Sequence, residues 1–154
     1  MADTERALGP VHPETLAARG RLAAAYLAAG RQKDAIAAYE RVLAERVRMY
    51  GPEHPGSLNA RGDLAAALRS ARRLKNAVPL YERVLAGRER LQGPGHRETI
   101  TARCDLASAY YTAGRLTDMI GVLRRALDDC TRYLGPGDPM TGTVRANLDA
   151  ATRA

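Results

Sequence analysis

A phrase centred on Gly-Pro recurs along this chain at a constant interval of 42 residues. Its four copies occupy residues 8–13, 50–55, 92–97 and 134–139 of the 154-residue sequence. A fixed period of this kind is typical of solenoid proteins, in which each repeat is one small unit that cannot bury its apolar face alone. The period therefore predicts a stack of similar units rather than a fold with one irregular core.

Each repeat contains the apolar spacing of two helices. In the first repeat, apolar residues lie at positions 22, 23 and 26, and again at 35, 36, 39, 42 and 43. Steps of three and four residues place these side chains on one helical face. A proline after the loop phrase suits the first helical position, and Gly30 and Gly114 suit a left-handed residue after a helix. The predicted helices span residues 13–29, 32–49, 55–71, 74–91, 97–113, 116–133 and 139–153.

These helices predict one all-α domain over residues 1–154, an α-solenoid of three helical hairpins and a C-terminal capping helix. In the last helix, Asp149 and Thr152 replace apolar residues of the earlier repeats, as expected for a face without a following neighbour. Residues 2–8 align with the end of a second helix. The predicted repeats span about 13–54, 55–96 and 97–138, and the capping helix spans 139–153.

A longer motif joins the two helices of a repeat. It runs Leu22-Ala23-x-x-Tyr26-x-x-x-Gly30-Arg31, followed by Ala35-Ile36-x-x-Tyr39-x-x-Val42-Leu43. This motif resembles the tetratricopeptide repeat (TPR), and the 42-residue period with Leu-Gly-Pro-x-His-Pro loops is similar to the kinesin-light-chain type. The Ala- and Arg-rich composition resembles actinobacterial members of that type, which occur alone or behind signalling ATPase and regulator domains.

The resemblance implies a non-enzymatic module that binds a protein or peptide partner in a concave groove lined by the first helix of each pair. Carboxylates on this face can accept hydrogen bonds from a peptide's N–H groups or basic side chains, and arginines can hold a carboxylate in a bidentate manner. The candidate partner-binding residues are Arg21, Asp63, Arg69, Asp105, Ser108, Tyr111 and Asn147.

The sequence departs from the family pattern in the first helices, in the turn of the second repeat and at Met119, which replaces the Ala35 and Ala77 of the earlier repeats. TPRs of this type carry an Asn that clamps a peptide backbone, just before the Leu of the first helix. Here that column contains Arg21, Asp63, Asp105 and Asn147, so only the capping helix keeps the amide. Arg72 also replaces the turn glycine, and a left-handed backbone costs such a residue about 1–2 kcal/mol. We therefore expect the turn of the second repeat to differ.

The formal net charge of +7 comes almost entirely from arginine. Many arginines recur in repeat columns, and the column that contains Arg19, Arg61 and Arg103 is expected to brace adjacent hairpins. The alternative role of this charge is nucleic-acid binding by a basic edge. No aromatic stacking motif or helix-turn-helix signature accompanies it, so nucleic acid is a disfavoured partner. The edge comprises Arg31, Lys33, Arg72, Arg73, Lys75 and Arg115.

The histidines and cysteines predict structural roles. His12, His54 and His96 precede the first turn of successive first helices, which suits N-capping. Helix packing at about 10 Å separates equivalent loops by roughly 20 Å, too far for one metal ion. Cys104 and Cys130 are expected to be reduced rather than bridged. No catalytic motif is found, so we expect no catalytic residue, cofactor or metal.

The sequence thus favours a TPR scaffold that binds a protein or peptide partner. One alternative is a sensory or regulatory TPR segment of a larger signalling ATPase or transcription regulator. Charge-driven nucleic-acid binding and self-association through the ends of the stack are further alternatives. The ordinary balance of 45% hydrophobic and 27% charged residues argues against disorder. The absence of a signal-peptide core or a long apolar run predicts a cytoplasmic protein without membrane contact.

Overall fold

The computed structural model describes residues 6, 7, 9 and 12–153, and the described part of the chain is helical apart from short loops. Every predicted helix is present, and each predicted end lies within one residue of the observed one. The all-α fold class is confirmed. The helices are α1 (Pro13–Ala28), α2 (Gln32–Tyr50), α3 (Pro55–Ser70), α4 (Leu74–Gln92), α5 (Arg97–Thr112), α6 (Leu116–Tyr133) and α7 (Pro139–Arg153).

The chain divides into two compact units, with the boundary inside α4 between Leu80 and Tyr81. In the N-terminal unit, α1 and α2 form a hairpin and α2 also packs against α3. In the C-terminal unit, α5 and α6 form a hairpin and α7 packs against α6. A fully buried cluster lies at the centre of this second unit and comprises Ile100, Ala126, Cys130 and Val144.

Small residues allow the helices to approach closely. Ala23, Ala65 and Ala107 occupy one repeat column and are 3% exposed or less. The column that precedes them contains leucine, and Leu64 and Leu106 are also buried. Alternation of alanine with leucine or tyrosine therefore builds the core of each unit without phenylalanine or tryptophan, which the sequence lacks.

The turn between the two helices has the same geometry in all three hairpins. Gly30 and Gly114 have φ values of 74° and 73°, and Arg72 has a φ of 60°. In each turn, the second residue after the helix C-cap donates its N–H to a carbonyl of the last helical turn, which is the Schellman arrangement. The expectation that the Arg72 turn differs is therefore wrong, because the fold imposes the left-handed conformation on arginine. These hydrogen bonds join Arg31 to Tyr26, Arg73 to Leu68 and Arg115 to Tyr110 at 2.8–2.9 Å.

The predicted capping role of the histidines is confirmed. The Nδ1 atoms of His12, His54 and His96 accept hydrogen bonds from backbone N–H groups two residues later, at 3.2, 3.0 and 3.2 Å. The fourth member of the column, Asp138, accepts from Met140 in the same way at 2.9 Å. An imidazole and a carboxylate can substitute for each other here because the site requires only one acceptor.

A column of buried arginines ties each first helix to its surroundings. Arg19, Arg61 and Arg103 are 4%, 8% and 1% exposed. Arg19 binds Glu45 on α2 at 2.5 Å, which braces two helices of one hairpin. Arg103 pairs with Asp129 on α6 and also with Glu89 on α4 at 2.6 Å. The predicted brace between adjacent hairpins is therefore present at Arg103, and the column also braces helices within a hairpin.

The left-handed Arg72 provides a test of the repeated turn. We expect Arg72→Gly to raise the free energy of unfolding by about 0.5–1 kcal/mol. The relief of left-handed strain exceeds the added entropy of glycine in the unfolded chain. Urea unfolding at equilibrium measures the change. The reciprocal substitution Gly30→Arg should lower the free energy of unfolding by a similar amount. A loss of stability in Arg72→Gly would contradict the presence of left-handed strain at this position.

Candidate functional site

The first helices carry an exposed face whose residues recur at the repeat interval. Arg21 on α1 and Asp63 on α3 are exposed in the N-terminal unit, and Arg69 is half-buried. In the C-terminal unit, Asp105 and Ser108 on α5 and Asn147 on α7 are exposed. Tyr111 has 65% of its surface exposed, the largest value among the exposed large apolar or aromatic side chains of the described residues. Each predicted binding residue thus has surface that a partner can reach.

Asp63 carries a carboxyl whose pKa is raised by its surroundings. Partial burial raises its pKa, and the guanidinium of Arg46 on α2 acts in the opposite direction. The phenol of Tyr39, also on α2, has a pKa raised first by burial and then by the Asp63 charge. Asp63 therefore lies beside the neighbouring second helix, and its ionised form is less well solvated than that of a carboxylate on an isolated helix.

The α5 face presents hydrogen-bond acceptors in particular. Thr101, Ser108 and Thr112 each donate their hydroxyl proton to the carbonyl four residues earlier, at 2.9–3.0 Å. A hydroxyl has one proton to donate and two lone pairs, so these oxygens remain available only as acceptors. The carboxylate of Asp105 lies among them and is also an acceptor. This feature could have been predicted from Ser and Thr spaced along one helical face, but only their hydrogen bonds establish it.

The predicted basic edge is partly neutralised within the chain. Arg31 forms an ion pair with Asp34 at 2.8 Å, and Arg115 forms one with Asp118 at 2.7 Å. Each guanidinium also lies over a tyrosine ring of the preceding first helix, at 4.5 and 4.4 Å from the ring centroids. The other members, Lys33, Arg72, Arg73 and Lys75, are exposed.

The described residues contain no group of three or more His, Cys, Asp or Glu side chains that could hold a metal ion. Cys104 is half-buried and Cys130 is buried, and both are free thiols. Burial and the neighbouring Cys130 raise the pKa of the Cys104 thiol to about 11, which opposes thiolate chemistry at neutral pH.

Every helix within the part of the chain that the structure describes is too short or too polar to span a lipid bilayer.

Comparison with known proteins decides the family. Two family models described as tetratricopeptide repeat match the chain, one over residues 58–118 and the other over residues 15–56 and 99–139. The chain belongs to the tetratricopeptide repeat family. Members of the TPR family generally serve as protein–protein interaction scaffolds, and the fold is typically non-catalytic. No curated protein matches the sequence of this TPR chain.

Solved structures confirm the kinesin-light-chain-like type of TPR. One similar structure is a Podosopora anserina protein described as a kinesin light chain with nearly identical TPR-like repeats. The alignment covers 99% of this chain and 72% of the P. anserina chain, with 26% sequence identity and a TM-score of 0.87. A variant of that protein gives a TM-score of 0.88 at the same identity. The alignment with BtubC (BKLC) from P. vanneervenii covers 90% of this chain and 56% of the BtubC chain, at 22% identity and a TM-score of 0.79. This second likeness supports the fold alone.

The raised pKa of Asp63 predicts that the negative charge of this side chain does not stabilise the folded state at neutral pH. A carboxyl whose folded pKa is raised stabilises the fold below its unfolded pKa, and this contribution is lost as the pH rises through the folded pKa. We expect Asp63→Asn to leave the free energy of unfolding at pH 7 unchanged or higher by up to about 0.5 kcal/mol, since the site is solvent-screened. Relative to this variant, the wild type should gain stability as the pH falls toward 3. Urea unfolding at pH 7 and at pH 3 measures the free energies of unfolding of both proteins. A large loss of stability in Asp63→Asn at pH 7 would contradict this expectation.

Proposed function

We propose that this TPR protein binds a basic, extended peptide segment of a partner protein on its first-helix faces. The observation that carries the proposal is the cluster of hydrogen-bond acceptors on the α5 face. Three hydroxyls there have already donated their protons to the helix, and Asp105 adds a carboxylate. A ligand for such a surface must bring donors, which an extended backbone and Lys or Arg side chains supply.

Tyr111 adds a second element of recognition beside these acceptors. Its ring is exposed on the same helix, three residues after Ser108 and six after Asp105. An exposed tyrosine attracts a guanidinium or ammonium group over its face, with a gain of about 0.5–1 kcal/mol. Basic side chains that contact Asp105 or Tyr111 would therefore be favoured over acidic ones.

The N-terminal unit has its own first-helix face, which is of mixed charge. Asp63 offers an acceptor on α3, whereas Arg21 on α1 and Arg69 on α3 can hold a carboxylate in a bidentate manner. Burial raises the pKa of Asp63, and a cationic group of a ligand beside this carboxylate would stabilise its ionised form. A partner segment that meets both charges would carry basic residues along with an acidic residue or its terminal carboxylate.

Peptide display tests this proposal. Binders would be selected from a random peptide library on the wild-type protein and measured against Asp63→Ala combined with Asp105→Ala. We expect selected peptides to be enriched in Lys and Arg, and the double variant to weaken their affinity about tenfold or more, since each lost charged hydrogen bond costs about 1.5–3 kcal/mol. Its melting temperature should remain within about 2 °C of the wild type.

The matched control is Glu40→Ala combined with Asp128→Ala, which removes two exposed carboxylates from second helices. It changes the net charge by the same amount and should leave the affinity within about twofold. If both double variants weakened the peptide affinity equally, the effect would come from the overall charge of the protein, which would contradict a first-helix site. Selected peptides without basic residues would contradict the proposed chemistry.

A further inference from the structure

The turn between α3 and α4 contains three exposed cations that lie close together in the sequence. These residues, Arg72, Arg73 and Lys75, form the basic turn. No acidic residue lies between Asp63 and Glu82, so the flanking sequence supplies no carboxylate to this turn. Among the described residues, none forms an ion pair or a side-chain hydrogen bond with the three cations. Their charge is therefore available to an external anion.

The equivalent turns of the other two hairpins neutralise their arginine within the chain. Arg31 forms an ion pair with Asp34 at 2.8 Å, and Arg115 forms one with Asp118 at 2.7 Å. Each of these two guanidinium groups also lies over the ring of a tyrosine, at 4.5 and 4.4 Å from the centroid. In both turns the arginine therefore has two partners, a carboxylate three residues later and an aromatic ring.

The second repeat keeps this arginine and replaces both of its partners. Arg73 occupies the position of Arg31 and Arg115 at the 42-residue interval. Three residues later, Asn76 stands where the other repeats have aspartate, and Leu68 stands where they have tyrosine. Neither an amide nor a leucine neutralises a guanidinium group. The basic turn is thus the one turn of the three hairpins in which the described residues leave this arginine unpaired.

Arg72 adds a second guanidinium at a position where the backbone is strained. Its φ is 60°, whereas the other two hairpins have glycine at this position. A Cβ added at Gly30 or Gly114 would meet no atom within 4 Å, so a side chain gains no packing at this point of the turn. Residues held in such a conformation concentrate at functional sites, where binding offsets the strain. A ligand therefore accounts for Arg72 better than folding does.

The first hairpin extends the positive surface within the N-terminal unit. Gln32, at the start of α2, donates a hydrogen bond from Nε2 to the carbonyl of Ser70 at the end of α3, at 3.2 Å. The turns of the two hairpins therefore lie side by side. Lys33 directly follows Gln32 and is exposed, which places a further cation on the same edge as the basic turn.

We propose that the basic turn, together with Lys33, binds a short carboxylate-rich segment of a partner protein. A guanidinium group holds a carboxylate with two parallel hydrogen bonds, so the consecutive arginines suit a segment with neighbouring Asp and Glu side chains. A nucleic acid fits less well, because the binding of single strands relies on aromatic side chains for base stacking, and the tyrosine of this column is Leu68 here. The site is separate from the first-helix faces and does not depend on the proposed function.

A labelled peptide with a run of Asp and Glu residues tests the proposal by fluorescence anisotropy with the full chain. We expect it to bind more tightly than its Asn and Gln counterpart, and Arg72→Gly combined with Arg73→Gln to weaken it about fivefold or more, since two ion pairs are lost. This variant restores the glycine of the other turns, so its melting temperature should not fall. The matched control, Arg124→Gln combined with Arg125→Gln, removes two consecutive exposed arginines from α6 and should change the affinity by less than about twofold.

Asn76→Asp provides a second test that removes no cation. It recreates the aspartate that pairs with the equivalent arginine in the other turns, so we expect it to weaken the acidic peptide about twofold or more, whereas Asn76→Gln should not. Asp63→Ala combined with Asp105→Ala should leave this binding intact, which separates the site from the first-helix faces.

Two results would overturn the proposal. One is equal weakening by the two arginine double variants, or an acidic peptide that binds no better than its neutral counterpart, because the effect would then come from overall charge or from no charge at all. The other is a labelled RNA oligonucleotide that binds more tightly than the acidic peptide and loses its affinity in Arg72→Gly combined with Arg73→Gln, which would assign the basic turn to nucleic acid instead.

Discussion

The buried guanidinium of Arg103 is the interaction on which the C-terminal unit depends. It lies on α5 and reaches Asp129 on α6, Glu89 on α4 and the carbonyl of Pro94 in the intervening loop, the last at 3.4 Å. One side chain therefore fixes three helices and a Gly-Pro loop against each other. Removing a charge from water is costly, so such a contact specifies the arrangement more than it adds stability. The same arginine recurs at the 42-residue interval, in one register with the loop phrase and the helices.

The 42-residue register of the loop phrase and the helices made most of the fold predictable. Helix ends were set by proline, by the capping residues at positions 12, 54 and 96, and by the turn glycines, all of which act locally. Arg72 shows where local reasoning fails, because the packing of both helices forces a left-handed conformation that arginine alone would avoid. The partners of Arg19 and Arg103 also lay beyond prediction, since they depend on which carboxylate the neighbouring helix presents.

The candidate binding surface was less predictable than the fold. Periodicity placed Asp105, Ser108 and Tyr111 on one exposed face, but it did not reveal that the hydroxyls of this face have already donated their protons. Similarly, the sequence showed that Tyr26 and Tyr110 belong to one repeat column, whereas only the structure showed that Glu82 accepts a hydrogen bond from Tyr110.

We expect an arginine of this column to be essential for stability only where it is buried between helices. The most direct test compares the free energies of unfolding of Arg103→Leu and Arg145→Leu, two members of one column that are buried and exposed, respectively. Arg103→Leu leaves two carboxylates without their cation and should cost about 3 kcal/mol, whereas Arg145→Leu should change stability by less than about 0.5 kcal/mol. Equal effects of the two substitutions, or a stable Arg103→Leu protein, would contradict this account.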